Sequence, residues 1–191
     1  KYFELLQDNV LVLTPAKLYD NWMSFKGAYR DSELGEDFNY KIMFHTDLNR
    51  TKGESRSGYD LARFDWSKYD LVVIDESHNF RNRTEKDYEE EGWTRYQRLL
   101  EDVIMGKQKT KVLLLSATPV NNSLVDLKNQ ISLITADNDS AFIGDDVPSV
   151  ASTLRVTSTI INAWDRIKVK DKKDLFDKLP ADFYKLLELI T

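Results

Sequence analysis

The chain has 191 residues, 41% of them apolar, which suits one domain with an appendage or a fragment of something larger. Its 27 basic and 32 acidic side chains leave a net charge of −5, unlike the field of a basic nucleic-acid-binding module, although a local basic patch or a further domain can supply such contacts. No cysteine occurs, which excludes disulfides, thiolate nucleophiles and cysteine-ligated zinc and fits a reducing compartment such as the cytoplasm; with no membrane-length apolar run and no basic-then-apolar leader, no membrane partner is expected.

Tyr2, Phe3, Leu5 and Leu6 read as the last turns of a helix whose start would lie upstream of Lys1. Val10 to Thr14 (VLVLT) is a buried-type strand halted by Pro15, after which Leu18, Trp22 and Phe25 recur at helical spacing, with Trp22 as that helix's anchor. Residues 27–39 read as loop. Tyr40 to Phe44 is the next strand. The polar segment His45 to Gly58 carries Arg50, Lys52 and Arg56 among serines and glycines, as a solvated loop or as a contact with a nucleic-acid backbone.

Leu71 to Ile74 is continuously apolar, as a strand covered on both faces must be, and ends abruptly in Asp75 and Glu76. Two adjacent carboxylates are costly if shut in and useful at the carboxyl end of a strand, where open α/β sheets keep their ligand crevice. The charged stretch Arg81 to Gly92 reads as loop and solvated helical start. Trp93, Tyr96, Leu99, Leu100, Val103 and Ile104 then share one helical face, stopped by Gly106, forming the crossover to a parallel strand at Lys111 to Ser116. That strand also ends in polar residues, so two strand tips aim at one crevice.

A helix is expected from about Ser123, through Leu124, Leu127, Ile131 and Ile134, and a boundary near 136–150. Leu154 to Ile161 is helix or a short extended piece, Lys168 to Lys178 is basic-biased and polar, and Pro180 opens a helix with Phe183, Leu186, Leu187 and Ile190.

Several strings then resemble one family. DESH at 75–78 resembles motif II, the Walker B variant, of superfamily 2 helicases, and SATP at 116–119 resembles their motif III. LVLTPAKLYDNW at 11–22 is similar to motif Ia with the tryptophan that follows it in chromatin-remodelling-type DNA translocases; DESHNFRN at 75–82 and PVNNSLVDL at 119–127 are similar to segments of the same branch. Each string is weak alone, but their order, each after its own apolar strand, is specific. The resemblance implies an α/β, RecA-like (P-loop NTPase type) parallel sheet with flanking helices over 1–135, and a linker with a mostly helical extension over 136–191. The implied strand order is 40–44, 10–14, 71–74, 112–116. The phosphate-loop strand would lie beyond 112–116. No G-x-x-x-x-G-K-[ST] string occurs, and Gly106-Lys107 has the wrong spacing and setting, so the loop is expected upstream and this chain alone is expected to be inactive. Without that strand, the edge of 112–116 needs cover from an extended piece of 150–161, a second copy or water.

By the same resemblance the function is ATP-dependent DNA helicase or double-stranded-DNA translocase activity, with a second RecA-like lobe in the full-length chain. Asp75 would hold Mg²⁺ through water, and Glu76 would orient the water that attacks ATP. His78 would join this motif to Ser116 and Thr118, coupling nucleotide state to lobe movement. Loop bracing by His78 and turn capping by Ser116 and Thr118 are the structural alternatives. Lys17, Arg50, Lys52 and Arg56 would lie near duplex DNA without reading its sequence. The alternative function is a non-catalytic interaction scaffold with a degenerate helicase fold; a metal hydrolase would need a second cluster of ligands.

Overall fold

Four short apolar runs form the strands β1 (Val10–Thr14), β2 (Lys41–Phe44), β3 (Leu71–Asp75) and β4 (Lys111–Leu115). They make one sheet in the order β2-β1-β3-β4, with every neighbouring pair parallel, which is the order the resemblance implied. The computed structural model describes residues 9–26, 39–81, 94–106, 110–117, 124–165 and 178–190. The expected helix tail over 2–6, the loop over 27–38, the charged stretch beyond Arg81, Thr118 and most of the basic-biased segment 168–178 lie outside them. The chain divides into two compact units, Lys1–Thr118 and Pro119–Thr191.

In the first unit the register places Val12 beside Ile42 and Val73, and Leu13 beside Met43 and Ile74. Val10, Val12, Tyr40, Ile42, Leu71 and Val73 form one core, against which Tyr19, Trp22 and Met23 pack. The alternate residues Leu11, Leu13, Met43, Val72 and Ile74 are fully buried as well. Parallel strands need crossovers that cover both faces, so nearly every position is apolar, and burying each such side chain contributes about 1.5–3 kcal/mol. The result is an α/β, four-stranded parallel sheet with flanking helices, compatible with the RecA-like fold. At the outer strand β4, Lys111, Leu113 and Leu115 are exposed.

Pro15 is extended and leads into a single 3-10 turn, Ala16–Leu18, and then into the short helix α1 (Tyr19–Met23). This helix is shorter than the spacing of Leu18, Trp22 and Phe25 predicts. Ser24 bonds back to the Asn21 carbonyl at 2.7 Å, a local alternative to continuing the helix, and Phe25 is left exposed. The crossover helix α2 (Arg95–Arg98) starts at a reciprocal cap: Thr94 Oγ1 accepts from Gln97 N at 3.1 Å and Gln97 Oε1 accepts from Thr94 N at 3.0 Å. It continues as a π-helical stretch, Leu99–Ile104, that buries Leu99, Leu100, Val103 and Ile104. Gly106 follows because there is no room for a side chain; a Cβ would lie 2.7 Å from both the Asp102 carbonyl oxygen and Ser67 Cβ.

The second unit contains α3 (Leu124–Ile134), α4 (Val150–Asp165) and α5 (Ala181–Ile190). Leu127, Ile131, Val147, Val150, Leu154, Phe183 and Leu186 share its core. Residues 154–161 therefore belong to a helix, and the extended piece entertained as cover for β4 does not form. Asp139 starts α4 from outside, accepting from Ala151 N at 2.7 Å and from the Ser149 hydroxyl, and these bonds hold its carboxyl below the usual range, the serine contributing most. Thr153 Oγ1 donates to Asp182 Oδ2 at 2.6 Å and ties α4 to the first turn of α5. Helix α3 shares this core.

Candidate functional site

All four strands run the same way, so the residues that follow them gather at one end of the sheet. Asp75 is the last residue of β3, and its register partner across the strand pair is Leu115, next to Ser116. Glu76 leaves the strand with φ 50° and ψ 49°, a left-handed conformation uncommon for a side chain of this kind. That bend turns the chain into a 3-10 turn, Ser77–Phe80, and Asn79 braces it, donating to the Glu76 carbonyl from both its backbone N and its Nδ2 at 3.0 Å. Ser77 and Phe80 are buried beneath the turn, so its exposed side carries Glu76 and His78.

Asp75 is held by three donors. Its Oδ2 accepts from the Trp22 indole Nε1 at 2.8 Å and lies 3.3 Å from the Thr14 hydroxyl, and its Oδ1 accepts from Glu76 N at 2.9 Å. His78 Nδ1 lies 3.2 Å from Glu76 Oε2 and 3.2 Å from Ser116 Oγ. An ionised carboxylate can only accept, so this geometry places the hydrogen on Nδ1, shared between the acid and the hydroxyl. Of the residues the sequence singled out, Asp75, Glu76, His78 and Ser116 meet here. Thr118 lies outside the described residues.

Lys17 is exposed on the turn after β1, and Lys52 and Arg56 are exposed on the loop after β2. Arg50 is engaged within the protein: its Nη2 is 2.8 Å from Oδ1 of Asp47, a buried acid whose Oδ2 accepts from Phe44 N at 3.0 Å and Ser55 Oγ at 2.7 Å. The segment is a braced turn, with Leu61 N on the Gly53 carbonyl at 2.9 Å, Ser55 N on the Tyr59 carbonyl at 2.8 Å, and positive φ at Gly53 and Gly58.

Sequence reasoning missed three residues beside the acids. Thr14 and Trp22 belong to the strand and helix of the motif Ia-like string, where apolar spacing made Trp22 an anchor and hid its N–H. His45, just past β2, is buried, with Nε2 3.3 Å from the Leu13 carbonyl and its ring edge-on to Phe80 at 4.7 Å. Desolvation pushes its pKa down to about 4, against the opposing pull of the Leu13 and Asp75 backbone bonds, so it is neutral at neutral pH. A lone histidine directly after a strand tip is the only signal of this in the sequence.

Among the described residues no three acidic or histidine side chains converge as a metal cage. The donor set is the Asp75–Glu76 pair, which fits Mg²⁺ that keeps part of its water shell and takes phosphate oxygens, and does not fit a protein-only site. No helix among the described residues is long and apolar enough to cross a membrane.

No family model matches the chain. It is 26% identical over 141 residues to the uncharacterized ATP-dependent helicase YqhH of Bacillus subtilis (strain 168), a match that takes in 68% of this chain and 21% of that protein. The chain thus spans about a fifth of the length of the curated relative it matches.

Proposed function

We propose that this chain is part of the first RecA-like lobe of an ATP-driven motor that moves along duplex DNA without reading its sequence. The observation that carries the reading is the convergence of Asp75, Glu76, His78 and Ser116 at the carboxyl ends of two adjacent parallel strands, with one imidazole nitrogen touching both the acid and the hydroxyl. The likeness to a protein described as an ATP-dependent helicase supports it. Asp75 orients the water shell of Mg²⁺. When bound, the ion neutralises phosphate charge. Glu76 accepts a proton from the attacking water while His78 holds its other contacts in place, and hydrolysis of this kind depends chiefly on positioning and charge. The His78–Ser116 contact ties the two strand tips together and so relays the state of Glu76 to β4. Lys17, Lys52 and Arg56 meet the phosphodiester backbone, with the second lobe and the phosphate loop supplied by other parts of the protein.

The test is Glu76→Gln in the protein that carries this sequence together with a phosphate loop. Mg-ATP binding persists and hydrolysis falls by ~10² to 10⁴, the usual contribution of a positioned general base. Hydrolysis within about threefold of the parent, with and without DNA, refutes the motor reading. A parent that neither binds nor hydrolyses ATP favours the interaction scaffold.

A further inference from the structure

The Trp22 indole reaches Asp75 across 53 positions of chain, and the two donors on Asp75 Oδ2 are unequal. An indole nitrogen only donates, and here it does so at 2.8 Å. Thr14 Oγ1 is farther, at 3.3 Å, and has one hydrogen to divide between Asp75 and the Pro15 carbonyl at 3.5 Å. With Oδ2 occupied by this pair and Oδ1 accepting from Glu76 N, the carboxylate keeps its remaining acceptor capacity on Oδ1, the oxygen next to Glu76.

Trp22 is itself held from behind. Its ring meets Tyr40 edge-on at 5.8 Å, and its backbone carbonyl accepts the Tyr40 hydroxyl. Its helix has five residues, too few to persist on its own hydrogen bonds, so these side-chain anchors fix where the helix sits. A change in the Asp75 carboxylate must therefore break the indole bond or move the helix. The helix follows directly on the turn that carries the exposed Lys17.

We propose that Trp22 is the positioning residue of Asp75, turning the carboxylate so that Oδ1 faces the water shell of a magnesium ion, and transmitting a change there to the segment Ala16–Met23. The inference rests on the magnesium-nucleotide reading of Asp75. It gives the tryptophan a role distinct from packing: it connects the acid at the end of β3 to the segment proposed to touch DNA.

The experiment uses this chain, ¹⁵N-labelled, with the Trp22 indole resonance assigned by side-chain correlation. MgCl₂ and ATP are added together stepwise into the millimolar range, so that the ion has phosphate oxygens to take, against ATP with KCl at matched ionic strength. The expected result is that the Trp22 indole N–H moves in step with the amides of Asp75 and Glu76, and that both responses vanish in Asp75→Asn. In Trp22→Phe, which keeps an aromatic ring beside Tyr40, the response at Asp75 and Glu76 needs a several-fold higher magnesium concentration and that of the Ala16–Met23 amides is lost; an unchanged concentration dependence at Asp75 and Glu76 overturns the positioning role. An indole that stays still while the Asp75 and Glu76 amides respond overturns the proposal and leaves the magnesium reading standing. If indole and amides are all unresponsive, both fall. Ala16–Met23 amides that still respond in Trp22→Phe overturn the transmission. Should Trp22→Phe fail to fold, the comparison of the indole in the unmodified chain and in Asp75→Asn decides.

Discussion

The hydroxyl of Ser116 lies 3.2 Å from Nδ1 of His78, a contact between residues 38 positions apart that joins the tips of β3 and β4. Its energy is measurable in this chain without nucleotide. His78→Ala, Ser116→Ala and the double variant, compared by urea unfolding of the sheet unit, should show a coupling of about 0.5–1.5 kcal/mol. Additivity within about 0.3 kcal/mol would mean that the contact contributes nothing and that Ser116 only caps its own turn.

Glu76 occupies a left-handed backbone conformation that glycine adopts without strain. Holding a non-glycine residue there costs on the order of 1–3 kcal/mol, against about 0.5–1 kcal/mol of extra chain entropy lost by a glycine. Glu76→Gly should therefore leave the sheet unit at least as stable, by roughly 0–2.5 kcal/mol, while removing the carboxylate. A lower melting temperature for Glu76→Gly than for Glu76→Ala would contradict the strain assignment.

His45 makes stability depend on pH in a defined direction. Its pKa falls from an ordinary 6.5 to about 4 in the fold, so between these values the unfolded chain binds a proton that the native chain does not. Stability contributed by neutral His45 is fully present above the unfolded value and declines as pH drops through the window, by about 3 kcal/mol in total. Carboxylates titrate there as well, so the measurement is the difference between the parent and His45→Gln. The parent's relative stability should fall between pH 6.5 and 4; a flat difference would show that the ring is not held neutral.

Asp47 anchors the loop after β2 through Phe44 N, Ser55 and Arg50. Asp47→Ala strands a backbone N–H and a hydroxyl in the interior and frees a half-exposed arginine, and should destabilise by about 2–4 kcal/mol. Amide hydrogen exchange should rise first at Ser55 and Leu61. Unchanged protection there would show that the turn stands without its acid.

The same ion pair separates Arg50 from the other basic residues. Lys17→Ala, Lys52→Ala and Arg56→Ala should each lower the slope of log K against log salt for duplex DNA by ~0.9, the share of one neutralised phosphate. Arg50→Ala should leave that slope alone and lower stability instead. Fluorescence anisotropy at several salt concentrations tests this, and a slope reduced only by Arg50→Ala would reverse the assignment.

The parallel strands were legible because their cause is local: continuous apolar runs of strand length, each closed by polar residues, with a helix-length crossover between the last two; their order followed from the resemblance of the motif strings and not from periodicity. The acids of the DESH string and Ser116 were legible for the same reason, as polar groups placed directly after buried strands. Trp22 and Arg50 were legible only as types. An indole on an apolar helical face packs in any fold, and an arginine in a polar loop is solvated in any fold, until the fold places a carboxylate beside it: Asp75 from 53 positions away for the indole, and Asp47 from the same turn for the arginine. Whether 154–161 was helix or strand was also undecided, because a short apolar run fits either, and the choice fell to the helical core that Leu154 shares with Phe183 and Leu186. His45 carries the same lesson in its charge. The sequence supplies an imidazole with an ordinary pKa, and only its burial beside Leu13 and Phe80 keeps it neutral well below pH 6.5, since desolvation belongs to the packed interior and not to the residue.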